Sequence, residues 1–84
     1  MTKDELFAKV QDIFRDVFDD DELVLTRETD ADDIEDWDSL MQIRLVVAME
    51  KQFRIKIPAQ ELQKLANVGE MVDFIEAKLQ AAGK

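Results

Sequence analysis

Between Asp19 and Asp38 the chain sets eleven acids against a single base, Arg27, within twenty residues. A purely acidic tract of that length would stay disordered, because it has too little apolar surface to offset the entropy of ordering. Here Leu23, Val24, Leu25, Ile34 and Trp37 interrupt the acids. They supply anchors that can tie the segment across a core. Connections this long inside a compact domain are usually functional or else hide an element of their own. An ordered loop is expected, with a short helical turn around Asp30 to Ile34.

On either side of this loop the apolar residues recur at helical spacing. Thr2-Lys3-Asp4-Glu5 reads as a capping box, in which Thr2 accepts from the backbone and Glu5 reaches back. Leu6, Val10, Ile13, Phe14 and Val17 then form one stripe, which should fade near Phe18 as acids meet the negative end of the helix dipole. A second helix is expected from about Ser39 to Phe53. Ile55 and Ile57 suit a short extended stretch, and Pro58 suits the first position of a brief third helix through about Leu65. Asn67-Val68-Gly69-Glu70 is a further cap, followed by Val68, Met71, Val72, Ile75 and Leu79 as the stripe of a last helix, with Gly83 at its end. The predicted fold is all-α: a small helical bundle of three main helices plus one short helix, with a long ordered first loop. Residues 1–84 read as a single domain.

Composition narrows the chemistry. The chain has no cysteine and no histidine, so it lacks the commonest general base, the commonest metal ligand and the best side-chain nucleophile. An enzyme is not expected. No metal site is expected either: the alternating Asp30, Asp32, Asp36 and Asp38 suggest a calcium loop, but its sixth and twelfth positions would be Glu35 and Met41 instead of glycine and glutamate. The formal net charge of -9 is uneven, with fifteen acids and four bases in residues 1–38 and five acids and seven bases in residues 39–84. Such a front half repels nucleic acid and anionic membranes and steers basic protein surfaces toward it. With no secretory pattern and no run of membrane-spanning length, a cytoplasmic monomer is expected, with no nucleic-acid partner and no membrane insertion.

The second helix carries two apolar faces. At about 100° per residue, Leu45, Val46, Met49 and Phe53 fall in one sector suited to the core. Leu40, Arg44, Val47 and Lys51 share the opposite side, with Met41 beside them. Burying Arg44 and Lys51 would cost several kcal/mol unless they were paired. A docking face with an apolar centre and a charged rim is therefore preferred to a fully buried helix. At the start of this helix two residues compete. Ser39-Leu40-Met41-Gln42 fits a capping box, which makes Ser39 a helix cap. If Asp38 is the cap instead, Ser39 becomes the first helical residue, its hydroxyl free at the positive end of the dipole, where a phosphate is stabilised. Trp37 either staples the helix start to the core or touches whatever sits at Ser39.

"DSL" at Asp38 to Leu40, followed in order by "IRLVVAMEKQF" (Ile43 to Phe53), "IKIP" (Ile55 to Pro58) and "NVGEMVDFIEAKL" (Asn67 to Leu79), resembles the acyl carrier protein family over essentially the whole chain. The resemblance implies that Ser39 receives 4'-phosphopantetheine from coenzyme A through a separate phosphopantetheinyl transferase, with Asp38 and Leu40 completing the attachment motif. It implies a covalent carrier whose arm presents its thiol to an acyl-loading or acyl-activating enzyme and then to downstream synthase or transferase enzymes. Ser39 is then a substrate, the helix cap falls to Asp38, and the missing histidine and cysteine cease to be an obstacle. An aminoacyl carrier (D-alanyl-type or peptidyl) and an unmodified acidic adaptor of the same fold are the alternatives.

The departures from the family pattern are local. Asp36 and Trp37 stand where many members have glycine before the motif. Met41 and Arg44 stand where fatty-acid carriers place acids that meet basic enzyme patches. Only Asp38 and Glu50 remain acidic on or near that face. The expected docking residues are Met41, Arg44, Val47, Glu50 and Lys51. The expected role is a free-standing carrier of a dedicated pathway (polyketide, specialised lipid or cell-surface modification) rather than housekeeping fatty-acid synthesis.

Overall fold

A computed structural model describes residues 2–34, 37–58, 60–61 and 64–83. Three helices carry the fold: α1 (Lys3–Val17), α2 (Ser39–Phe53) and α3 (Val68–Ala81). No strand occurs among the described residues. The short helix expected from Pro58 to about Leu65 includes Ala59, Leu62 and Gln63, which lie outside the described residues. Around them, Gln60 and Glu61 are helical, and the Pro58 and Glu61 carbonyls accept from the amides of Glu61 and Lys64 at 3.0 and 3.2 Å. Glu35 and Asp36 also lie outside the described residues.

Each helix begins at a residue whose side chain accepts from the backbone amide three residues on, satisfying one of the orphan donors of the first turn. Thr2 Oγ1 accepts from the Glu5 amide at 3.2 Å, and Asn67 Oδ1 from the Glu70 amide at 2.9 Å. The reciprocal arms differ from the expected box. The Glu5 carboxylate accepts from the Thr2 hydroxyl at 3.0 Å instead of from its backbone, while Glu70 accepts from the Ala66 amide at 2.7 Å. Both still close the first turn with charge-assisted bonds. At its far end α1 stops because Asp19 turns left-handed (φ 52°), which lets the Asp20 amide donate to the Arg15 carbonyl at 2.9 Å. Gly83 likewise turns left-handed (φ 74°) just beyond α3.

The apolar stripes meet in one core. Leu6, Val10, Ile13 and Phe14 from α1 lie against Leu45, Val46, Met49 and Phe53 from α2 and Val68, Met71, Val72, Ile75 and Leu79 from α3. The α1 helix packs on both of the others. Ile55 and Ile57 are buried in the connection after α2. Burial of the larger side chains supplies about 1.5–3 kcal/mol each before entropy is counted.

The acidic loop is ordered by a few cross-links from its backbone. Arg15 Nε donates to the Leu23 carbonyl at 2.7 Å, and Gln11 Oε1 accepts from the Leu25 amide at 2.8 Å, which fastens the loop to α1. The Thr29 and Arg27 carbonyls then accept from the amides of Val68 and Gly69, at 2.8 and 2.9 Å, filling orphan donors of α3. Leu25 and Ile34 are buried anchors, and Leu23 and Trp37 pack on the core from its edge. Val24 is no anchor: it is 69% exposed, while Leu25 beside it is buried. The helical turn expected at Asp30 to Ile34 is a single hydrogen-bonded turn. Asp30 closes it with its carbonyl and with a carboxylate that accepts from the Asp32 and Asp33 amides.

Candidate functional site

The loop delivers Trp37 and Asp38 to the start of α2, and the competition for its cap resolves there. Asp38 is extended and its Oδ1 accepts from the Met41 amide at 2.9 Å. Its carbonyl accepts from the Gln42 amide at 2.9 Å, the first bond of the helix. Ser39 is thus the first helical residue. Its side chain is exposed, and among the described residues its hydroxyl has no hydrogen-bond partner.

Gln42, the fourth residue of the supposed box, does not reach back to Ser39. Its side-chain oxygen accepts from the indole N–H of Trp37. The Trp37 ring meets Phe14 edge-on at 5.2 Å and Phe18 at 6.4 Å. Trp37 therefore staples the start of α2 to α1, with a polar bond where such staples usually place an apolar pair.

Beside Ser39 lies a cleft of about 530 Å³, between the first turns of α2 and the approach to α3. Val46, Leu65, Met71 and the exposed Ile43 give it an apolar lining. Trp37, Gln42 and Asn67 stand among its other walls. Gln42 and Asn67 each use the side-chain oxygen within the fold, which leaves their amide N–H groups as donors.

The outer face of α2 is exposed as the cations required. Leu40 is 57% and Val47 43% exposed, Arg44 and Lys51 are exposed, and Met41 is half-buried at the edge. Glu50 stands apart. It is half-buried, and its Oε2 accepts from the Ile57 amide at 3.0 Å, so this carboxylate holds the turn after α2. Ile43, not singled out from the sequence, is 57% exposed and completes an apolar row with Leu40 and Val47. Their spacing of three and four was the available signal.

A family model described as "Phosphopantetheine attachment site" matches residues 8–75. The chain belongs to the acyl carrier protein family. It is 39% identical over 79 residues to an acyl carrier protein of Petrotoga mobilis, covering 94% of this chain and 93% of that one. To an acyl carrier protein of Thermotoga maritima it is 35% identical, covering 93% of this chain and 96% of that one. Among solved structures it is similar to a holo acyl carrier protein from Geobacter metallireducens, determined in solution. The TM-score is 0.85 and the identity 48%, over 92% of this chain and 88% of that one. The all-α bundle expected from the three stripes is the fold these carriers share. Their prosthetic group, 4'-phosphopantetheine, suits the start of α2: an exposed hydroxyl at a helix N-terminus, beside a cleft with an apolar lining and two amide donors.

Proposed function

We propose that this carrier bears 4'-phosphopantetheine on Ser39 and shuttles acyl groups between enzymes of a dedicated pathway: polyketide, specialised lipid or cell-surface modification. One observation carries the assignment of Ser39. Because Asp38 caps α2, the neighbouring hydroxyl is exposed and unengaged at the positive end of the helix. The chain has no thiol of its own, and the arm supplies the one that holds an acyl group as a thioester. What the protein contributes is placement. The unpaired amides of the first turn of α2 stabilise the negative charge of a phosphodiester there. Asp38 fixes the turn, and Ile43, Val46 and Met71 offer apolar surface next to it.

A phosphopantetheinyl transferase, an acyl-loading enzyme and downstream synthase or transferase enzymes are the partners of such a carrier. The face of Leu40, Met41, Arg44, Val47 and Lys51 is where they dock. Arg44 in place of an acid supports a dedicated pathway over housekeeping fatty-acid synthesis. Intact-mass measurement tests the attachment. Incubated with coenzyme A and a broad-specificity transferase, the protein should gain one phosphopantetheine, and Ser39→Ala should gain none. No gain, or a gain that survives Ser39→Ala, refutes the assignment.

A further inference from the structure

The exposed face of α2 has a charge opposite to that of the protein that carries it. Leu40, Ile43 and Val47 form an apolar row along the helix, each at least 43% exposed. Arg44 and Lys51 lie beside that row, both exposed, and no hydrogen bond or ion pair engages either among the described residues. At about 100° per residue the acid of α2, Glu50, is about 80° round the helix from Leu40 and about 20° from Ile43, bordering the row on the side away from Arg44 and Lys51. It is bonded to the Ile57 amide and, among the described residues, forms no ion pair with Arg44 or Lys51. From Ser39 to Pro58 the chain has four bases and one acid, whereas residues 19–38 have eleven acids and one base. The charge along the chain changes sign at Ser39.

We infer that this face docks an enzyme surface with a matching division of charge. Its apolar centre covers Leu40, Ile43 and Val47, its carboxylates face Arg44 and Lys51, and its basic groups face only Asp38 and the loop. The inference rests on the carrier reading for the use of the face, and on the α2 geometry for its sign. A uniformly basic partner surface would set its cations against Arg44 and Lys51, and like-charge juxtaposition disfavours that pairing. The rim cations thus select against partners made for a carrier that is acidic throughout, while an acidic patch seated beside the apolar row gains both contacts.

Two synthetic amphipathic helices test this, each with leucines at positions i, i+3 and i+7, one flanked by glutamates and one by lysines. Both are titrated into the isotope-labelled protein before any modification and followed by amide chemical shifts. The glutamate-flanked peptide should shift the amides of residues 40–51, and Arg44→Glu with Lys51→Glu should weaken it by about tenfold while the helical circular dichroism stays unchanged. The lysine-flanked peptide should shift residues 28–38 in the native protein and move onto α2 only in the double variant. The inference is overturned if the lysine-flanked peptide takes the α2 face of the native protein, if neither peptide shifts it, or if the double variant binds the glutamate-flanked peptide unchanged. Mass gain from the transferase is read separately on both proteins. Its failure would remove the carrier reading, while the peptide maps would still decide the sign of the surface.

Discussion

The amide of Gly69 donates to the Arg27 carbonyl at 2.9 Å, in a contact so close that a Cβ on Gly69 would lie 2.9 Å from the Arg27 Cβ and 3.0 Å from that carbonyl oxygen. This is where the acidic loop closes on the first turn of α3. Alanine at 69 would improve helix propensity by up to about 1 kcal/mol. Against this, overpacking a fixed backbone costs about 1–3 kcal/mol, and the Arg27 segment is held by the neighbouring Thr29–Val68 bond as well. The clash wins. Gly69→Ala should lose about 1 kcal/mol, a fall of about 4–8 °C in thermal midpoint for a domain of this size, followed by circular dichroism. A rise in midpoint would show that the loop yields freely.

Asp38 and Ser39 should separate stability from modification. Asp38 holds the Met41 amide, so Asp38→Ala should cost about 1 kcal/mol. Ser39→Ala removes an exposed, unengaged hydroxyl and should stay within about 0.5 kcal/mol of the native protein. Denaturant melts of the two unmodified variants give the comparison. The reverse order would mean that Ser39 caps the helix.

The faces of all three helices were legible in the sequence, because a 3.6-residue period writes burial directly into spacing. Every member of the inner sector of α2 is buried, and the outer sector is exposed where Arg44 and Lys51 could not be buried unpaired. What spacing could not show is how the loop is held. Gln11 and Arg15 look like ordinary solvent-facing positions of α1, yet they bind backbone groups fourteen and eight residues away. Gly69 looks like a neutral place in a cap until Arg27, distant in sequence, is laid against it. Residue type alone does not choose between Asp38 and Ser39, since both cap helices; the family resemblance gave the cap to Asp38, and the extended backbone at 38 and its bond from the Met41 amide bear that out. Leu40 and Val47 share the stripe that Arg44 and Lys51 mark, whereas Ile43 lies about 60° round the helix from Leu40, outside it.

Trp37 and Gln42 should be coupled. The indole N–H of Trp37 reaches the Gln42 side chain while the ring rests on Phe14 and Phe18. Trp37→Phe keeps an aromatic ring there and loses the donor, at about 1–2 kcal/mol, the hydrogen bond accounting for about 0.5–1.5 of it. Gln42→Ala removes the same bond from the other end. In a double-mutant cycle the two losses should fall short of additivity by about 1 kcal/mol. Strict additivity would leave Trp37 as an apolar staple only.

Asp73 makes the acid limb of the stability curve informative. Its carboxyl is held below its ordinary value of 3.8, first by the hydrogen bond from Arg27 and then by that from Lys3. Arg27 reaches it through both terminal nitrogens, at 3.3 and 2.8 Å, and Lys3 Nζ at 3.1 Å. A carboxyl depressed in the folded state contributes stability that is complete above the unfolded value. That contribution is lost as pH falls through the folded one. Asp73→Asn should therefore be less stable than the native protein at neutral pH, with the difference shrinking as the pH drops below about 4. The side chains of Arg27 and Asp73 are 48% and 44% exposed, so solvent screening keeps the effect small, and added salt should narrow it further. Thermal melts across pH 2–7 at low and high salt read both trends. A difference that persisted unchanged into acid would assign the loss to packing between the loop and α3 rather than to the charge of Asp73.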